Sequence, residues 1–414
     1  MLYQLHEWQR KLLNPLSAWA QATSELFSNP YSPLSYTPYS RRLAASYDLL
    51  YRLGKHYEKP AFGIKAVTVD GVEVPVRELV VADKPFCRLL HFERDPASLP
   101  KPHAADPRVL VVAPLSGHHS TLLRDTVRAL LPAHDLYITD WTDARMVPLS
   151  QGPFHLDDYV DYVVEFLDLV GAGSHVISVC QPTVPVLAAV SLMAARGDPA
   201  LPRSMTMMGG PIDTRRNPTQ VNALAQRKPL EWFRNNVIFK VPSTYRGYLR
   251  EVYPGFLQHA GFVAMNPDRH VNSHWEYYLD LIKGDQDDVE AHRRFYDEYN
   301  AVLDLPAEYY LDTIQIVFQE HRLPKGTWHV RDERVAPERI RNTALFTIEG
   351  ELDDISGSGQ TKAAHELCRG VPEANRRHLT AIGVGHYGIF SGRRWREMIS
   401  PQIAQFIRAH DSDR

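Results

Sequence analysis

Three side chains of complementary chemistry lie far apart along the chain: a thiol at Cys180, a carboxylate at Asp353 or Asp354, and an imidazole at His386. A thiol attacks a carbonyl carbon once a base has taken its proton, and an imidazole held in one tautomer by a carboxylate is such a base. The chemistry open to that set is acyl transfer through a thioester. Cys87 and Cys368 complete an odd set of cysteines, widely spaced and never paired as CxxC, which speaks against a disulfide framework and a structural zinc site. A lone thiol is left for chemistry or for packing.

Each candidate sits where an apolar run ends. HVISVC closes at Cys180, where a fifth strand ends, and passes through Gln181 into Pro182 and an alanine-rich helix start. A helix N-terminus favours thiolate over thiol, and proline is accepted in a first helical turn, where its missing N–H has no partner to lose. The corner resembles the G-x-S-x-G turn that exposes a nucleophile, but Ser178-Val179-Cys180-Gln181-Pro182 keeps neither glycine. EGELDDISGSGQT, residues 349–361, is a strand followed by a loop rich in Gly, Ser and Asp. Such loops on the carboxyl edge of a parallel sheet carry catalytic groups, though an Asp there also serves as a turn or helix cap. AIGVGHYGIFSG, residues 381–392, places His386 among Gly383, Gly385 and Gly388. A tetrahedral oxyanion needs two fixed donors: the backbone N–H of Gln181, and one from the loop after RVLVVAPL, at Ser116 with Gly117 beside it. His118 and His119 follow closely and receive no role.

Bringing these loops together requires strands that end on one edge. KAVTV, the turn Asp70-Gly71 and VEVPV predict a hairpin. Apolar runs then alternate with helical patterns: RVLVVAPL, a helix over 119–131, DLYITDW, a helix over 155–171, HVISVC, a helix over 182–195, and SMTMMGG. The alternation stops at about residue 211 in a stretch rich in Trp, Tyr and Phe, and resumes with TALFTIEG, a helix over 360–369, RRHLTAIG and a helix over 395–410. That order predicts an α/β protein, a mostly parallel central sheet with helices on both faces and an inserted cap. The divisions are a helical segment and connector (1–62), the first part of the core (63–210), the cap (211–341) and the second part of the core (342–414). With nucleophile, acid and His in that chain order, the expected architecture is the α/β-hydrolase fold.

At the N-terminus Leu2, Leu5, Trp8, Leu12, Leu16 and Trp19 recur at helical spacing, with a break expected at Asn14-Pro15. The stripe is expected to pack on the body or on a second subunit, the alternative being a face for an apolar particle. Residues 29–40, rich in Pro, Ser and Tyr, read as an extended connector.

The 414 residues are 44% hydrophobic and 23% charged, ordinary for a globular protein. Lys and Arg number 46 against 49 Asp and Glu, which gives no electrostatic footprint for nucleic acid or an anionic membrane. No run of about 18 apolar residues occurs and the first residues lack a secretory pattern, so the expected location is cytoplasmic, without bilayer insertion. No HExxH, CxxC or P-loop motif appears, and neither metal nor cofactor is expected.

VCQPTVP, PLSGHHSTLLRDT, GELDDISG and GVGHYGIF together resemble the intracellular poly(3-hydroxybutyrate) depolymerases of bacteria, over essentially the whole chain. The resemblance implies an α/β-hydrolase fold in which cysteine replaces the lipase-box serine, acting on amorphous polyester stored in cytoplasmic granules. It implies Cys180 as nucleophile, Asp353 as the orienting acid in preference to Asp354, and His386 as base. Leu352 departs from the polar residue expected there. Related polyester synthases use the same three groups, but their box reads G-x-C-x-G where this chain has S-x-C-x-P; a small-molecule cysteine esterase or thioesterase and a catalytically silent granule-coat protein are further alternatives. Homodimer formation stays open, as does resolution of the acyl-enzyme by water or by another thiol.

Overall fold

The computed structural model describes residues 2–265 and 267–411. Strand β1 (Ala66–Val69) turns through Asp70 and Gly71, at φ 48° and 81°, into β2 (Val72–Asp83), as a two-residue type I′ hairpin requires. β3 (Cys87–Arg94) returns antiparallel to β2. This strand falls outside the motif runs above, so Cys180 follows the sixth strand in chain order, not the fifth. Its sequence CRLLHFER alternates only loosely, with Cys87, Leu89, Leu90, Phe92 and Arg94 all buried.

The remaining strands are β4 (Arg108–Val112), β5 (Asp135–Trp141), β6 (His175–Val179), β7 (Ser204–Met208), β8 (Ala344–Gly350) and β9 (Arg376–Ala381). They complete a nine-stranded sheet in the order β1-β2-β3-β5-β4-β6-β7-β8-β9, parallel from β5 onward. VLVV, HVISV, SMTMM and ALFTIEG are buried throughout, because both faces of a parallel sheet are covered and alternation with polar residues has no purpose there. β5 lies on one side of β4 and β6 on the other, so the chain reverses direction across the sheet at β4. The loops leaving β4 and β6 therefore open beside each other at the carboxyl edge, the crevice where such sheets bind ligands.

Helix α1 (Leu2–Ser28) runs unbroken through Pro15 and packs on α2 (Ser40–Gly54). A single missing N–H is tolerated in a helix this long, and the expected break is absent. Residues 29–40 are a set of turns around a short 3₁₀ segment (Pro33–Tyr36), not an extended connector. α1 buries Tyr3, Ser17, Ala20 and Ser24, whereas Leu2, Leu5, Trp8, Leu12, Leu16 and Trp19 face outward, Trp8 at 68% and Leu12 at 65% exposure. Small residues let the helix lie close to α2; of the two packings expected for the Leu/Trp stripe, that on the body of its own chain is not made.

α3 (Arg124–Leu130), preceded by a 3₁₀ turn from Ser120, α4 (Leu156–Val170) and α5 (Thr183–Arg196) cover the sheet. α5 is buried from Thr183 to Met193, as befits the helix behind the site. Between β7 and β8 the chain forms α6 (Gln220–Arg227), α7 (Leu230–Val237), α8 (Gly255–Met265), α9 (Pro267–Lys283), α10 (Gln286–Tyr299) and α11 (Ala307–Asp312), the last continuing as a π-helical stretch Thr313–Gln319. The expected helix over 360–369 shrinks to Ala364–Leu367, and the last one begins as a π-helical turn, Trp395–Ile399, before Ser400–Asp411. Among the described residues no helix is long and apolar enough to cross a membrane.

Candidate active site

β6 delivers Cys180 to its corner at φ 68°, a left-handed conformation that a side-chain-bearing residue adopts at a cost of about 1–3 kcal/mol. Surrounding bonds hold it there. The Cys180 N–H donates to Met208 O at 2.7 Å, and its carbonyl accepts from the Thr183 N–H at 3.2 Å as α5 begins. This is the geometry of a nucleophile elbow without its glycines. Ser178, buried on β6, fills the place of the first with a small side chain, and Pro182 is the N-cap of α5. Cys87 and Cys368 are wholly buried, where burial pushes their thiols up; only Cys180 is part-exposed.

His386 opens a short 3₁₀ turn after β9 and is buried. Its Nδ1 lies 2.7 Å from Asp353 Oδ2, while Asp353 Oδ1 accepts the N–H groups of Ile355 and Ser356 at 2.9 and 2.8 Å. With Nδ1 carrying the proton toward the carboxylate, Nε2 is left for the thiol of Cys180, which lines the same cavity as the ring. Burial by itself pushes the imidazole down, but the Asp353 carboxylate and the Cys180 sulfur outweigh it and raise it well above its ordinary value. Cys180, Asp353 and His386 are thus brought together from three strand ends, and of the two aspartates it is Asp353 that meets the ring. Glu349, buried at the end of β8, accepts the N–H groups of Gly359 and Lys362 and shapes the loop behind Asp353.

Gly209, just past β7, escapes a sequence reading because nothing local marks it as special. At φ 56° it lies under the Asp–His pair, and an added Cβ would stand 2.6 Å from Ile389 Cδ1 and 3.3 Å from both Asp353 Oδ2 and His386 Cε1. The only hint was the doubled glycine in SMTMMGG.

Ser116 and Gln181 line the same cavity as Cys180 and His386, about 700 Å³ in volume. Neither backbone N–H is hydrogen-bonded to another described residue. Gln258 Oε1 is buried without a partner, a situation a bound polar ligand would relieve. The rest of the wall is largely apolar, with Phe233, Tyr253, Ile314, Phe318 and Phe390 among its residues. Ile314 and Phe318 come from the π-helical stretch, a distortion that favours functional sites and that periodicity does not announce. His118 and His119, left without a role by sequence, are both buried, and burial lowers them to about 4 and about 3. Among the described residues, no group of three or more His, Cys, Asp or Glu is placed to hold a metal ion.

Residues 209–411 match the family model described as PHB de-polymerase C-terminus. No curated protein matches the chain. Solved structures similar to it include a monoacylglycerol lipase from Paleococcus ferrophilus, 12% identical over 74% of this chain and 96% of that one, TM-score 0.44. A hydrolase from Pseudomonas aeruginosa is 14% identical over 80% and 98%, TM-score 0.42. The thioesterase domain from the curacin biosynthetic pathway is 10% identical over 80% and 99%, TM-score 0.42. The sheet order and the elbow at Cys180 are those of the α/β-hydrolase fold, and residues 209–411, which hold Asp353 and His386, are similar to the PHB de-polymerase C-terminal family.

Proposed function

We propose that the protein hydrolyses the backbone esters of amorphous poly(3-hydroxybutyrate), with Cys180 as nucleophile, His386 as base and Asp353 as the group that orients it. The observation that carries this reading is the thiol on a strained elbow, beside an imidazole held by a buried carboxylate, opening on a largely apolar cavity. His386 takes the thiol proton and the sulfur adds to the ester carbonyl carbon. The oxyanion is met by the N–H groups of Gln181 and Ser116. As the carbon–oxygen bond breaks, His386 protonates the departing hydroxyl end, leaving a thioester that water, activated by the same imidazole, hydrolyses to the acid.

An uncharged polyester offers apolar area and ester dipoles and nothing to pair with a charge, which suits a largely apolar wall interrupted by amides. An insoluble substrate also has to be met at its surface. The outward row Leu5, Trp8, Leu12, Leu16 and Trp19 on α1 carries no charge and supports attachment to a polyester granule.

Brief exposure to amorphous polymer followed by mass spectrometry tests the reading. The expected result is a hydroxybutyryl adduct on Cys180 and released 3-hydroxybutyrate, both absent in Cys180→Ala. Release by Cys180→Ala, or an adduct from soluble aryl esters or acyl-CoA with none from polymer, overturns it in favour of another mechanism or of a small-molecule esterase. Polymer made from 3-hydroxybutyryl-CoA would reassign the protein as a synthase.

A further inference from the structure

The loop after β4 has two kinds of anchor. Up to Ala113 it is tied to the core: the Ala113 N–H donates to Thr139 Oγ1 at 2.8 Å, and its carbonyl accepts from Trp141 Nε1 at 2.8 Å. Beyond Pro114 the carbonyls turn to the 211–341 insertion. Leu115 O accepts from the Tyr309 hydroxyl at 3.1 Å, Ser116 O accepts from the Gln258 side-chain amide, and Gly117 O accepts from the Leu303 N–H at 2.9 Å. His118 Nε2 lies 3.1 Å from Tyr299 O, and His118 bridges to Val302.

In a trans peptide the C=O of one residue and the N–H of the next lie in one plane and point in opposite directions, and no cis peptide occurs among the described residues. The Tyr309 hydroxyl, by holding Leu115 O, therefore sets the direction of the Ser116 N–H. Gln258 sets the next plane in the same way, and Gly117 is what permits it: its φ is 97°, and an added Cβ would stand 2.8 Å from Gln258 Cδ. Tyr309 is itself immobilised, buried and stacked on Tyr159 with ring centroids 5.7 Å apart.

We propose that Tyr309 and Gln258 are positioning residues which orient the oxyanion-binding loop, so that the insertion builds part of the catalytic apparatus as well as the substrate wall. This rests on the assignment of Ser116 and Cys180 above. Gln258, whose amide grips the loop, also lines the cavity, and its Oε1 is buried without a partner.

The test compares wild type, Tyr309→Phe, Gln258→Glu and Cys180→Ala on a soluble aryl ester. It also measures the rate at which iodoacetamide alkylates Cys180, a reaction that forms no oxyanion. Tyr309→Phe removes one oxygen, and Gln258→Glu keeps the shape while losing the donor. The expected result for both is kcat lower by about 10- to 100-fold, with KM and the alkylation rate within about twofold of wild type. General damage to the site would change alkylation and KM as well. Wild-type kcat in both variants, or a fall matched by slower alkylation, overturns the proposal while Cys180→Ala stays inactive. Activity retained by Cys180→Ala removes the assignment on which it rests and overturns both.

Discussion

His386 Nδ1 stands 2.7 Å from Asp353 Oδ2, and the other oxygen of that carboxylate is occupied by two backbone N–H groups of its own loop. The acid is thus aimed by the chain that carries it, and the imidazole has one tautomer open to it. Asp353→Asn keeps the shape but lets the wrong tautomer form. We expect kcat on a soluble ester to fall by about 10,000-fold, with Asp354→Asn close to wild type. Equal losses in the two variants would show that the pairing does not govern turnover.

The raised imidazole has a thermodynamic consequence. A folded-state value above the unfolded one, about 6.5, means that the native protein holds more protons than the unfolded chain in the window above it. The stabilisation is full below about pH 6.5 and is lost as pH rises through the folded value. Urea unfolding of wild type and His386→Gln across that range should give a difference that shrinks with rising pH. A pH-independent difference would contradict the assignment.

Gly209→Ala places a methyl group against Ile389 and the Asp–His pair at a residue already in the left-handed region. We expect a stability loss of about 1–3 kcal/mol, and loss of ester turnover beyond what thermal unfolding explains. Turnover equal to wild type at a temperature where the variant is folded would show that the pair has room to move.

The outward stripe of α1 gives a prediction separable from catalysis. Trp8→Ser combined with Leu12→Ser should leave soluble-ester kinetics unchanged and weaken co-sedimentation with amorphous polymer granules. If granule binding persists while a dimer seen by light scattering dissociates, the stripe is a subunit contact.

Much of the architecture was legible locally. The Asp70-Gly71 hairpin, the apolar runs that became β4 to β8, the long interruption after β7 and the strand-end positions of Cys180, Asp353 and His386 follow from period and turn chemistry, which act over a few residues. β3 was missed because CRLLHFER buries neighbours on both faces and blurs its alternation. That the stripe of α1 leaves the body of its own chain was not legible, because a helical period reveals an apolar face and not what covers it.

The amino-acid sequence by itself determined which chemical groups are present, their order and the elements that end at them. Tertiary structure decided what those groups touch: that Asp353 meets the ring, that Gly209 leaves room for the pair, and that Tyr309 and Gln258 hold the loop at Ser116. The reason is the range of the interactions. Propensity and capping act between neighbours in sequence, whereas Leu115 and Tyr309 stand 194 positions apart and meet only when the sheet and the insertion are both in place.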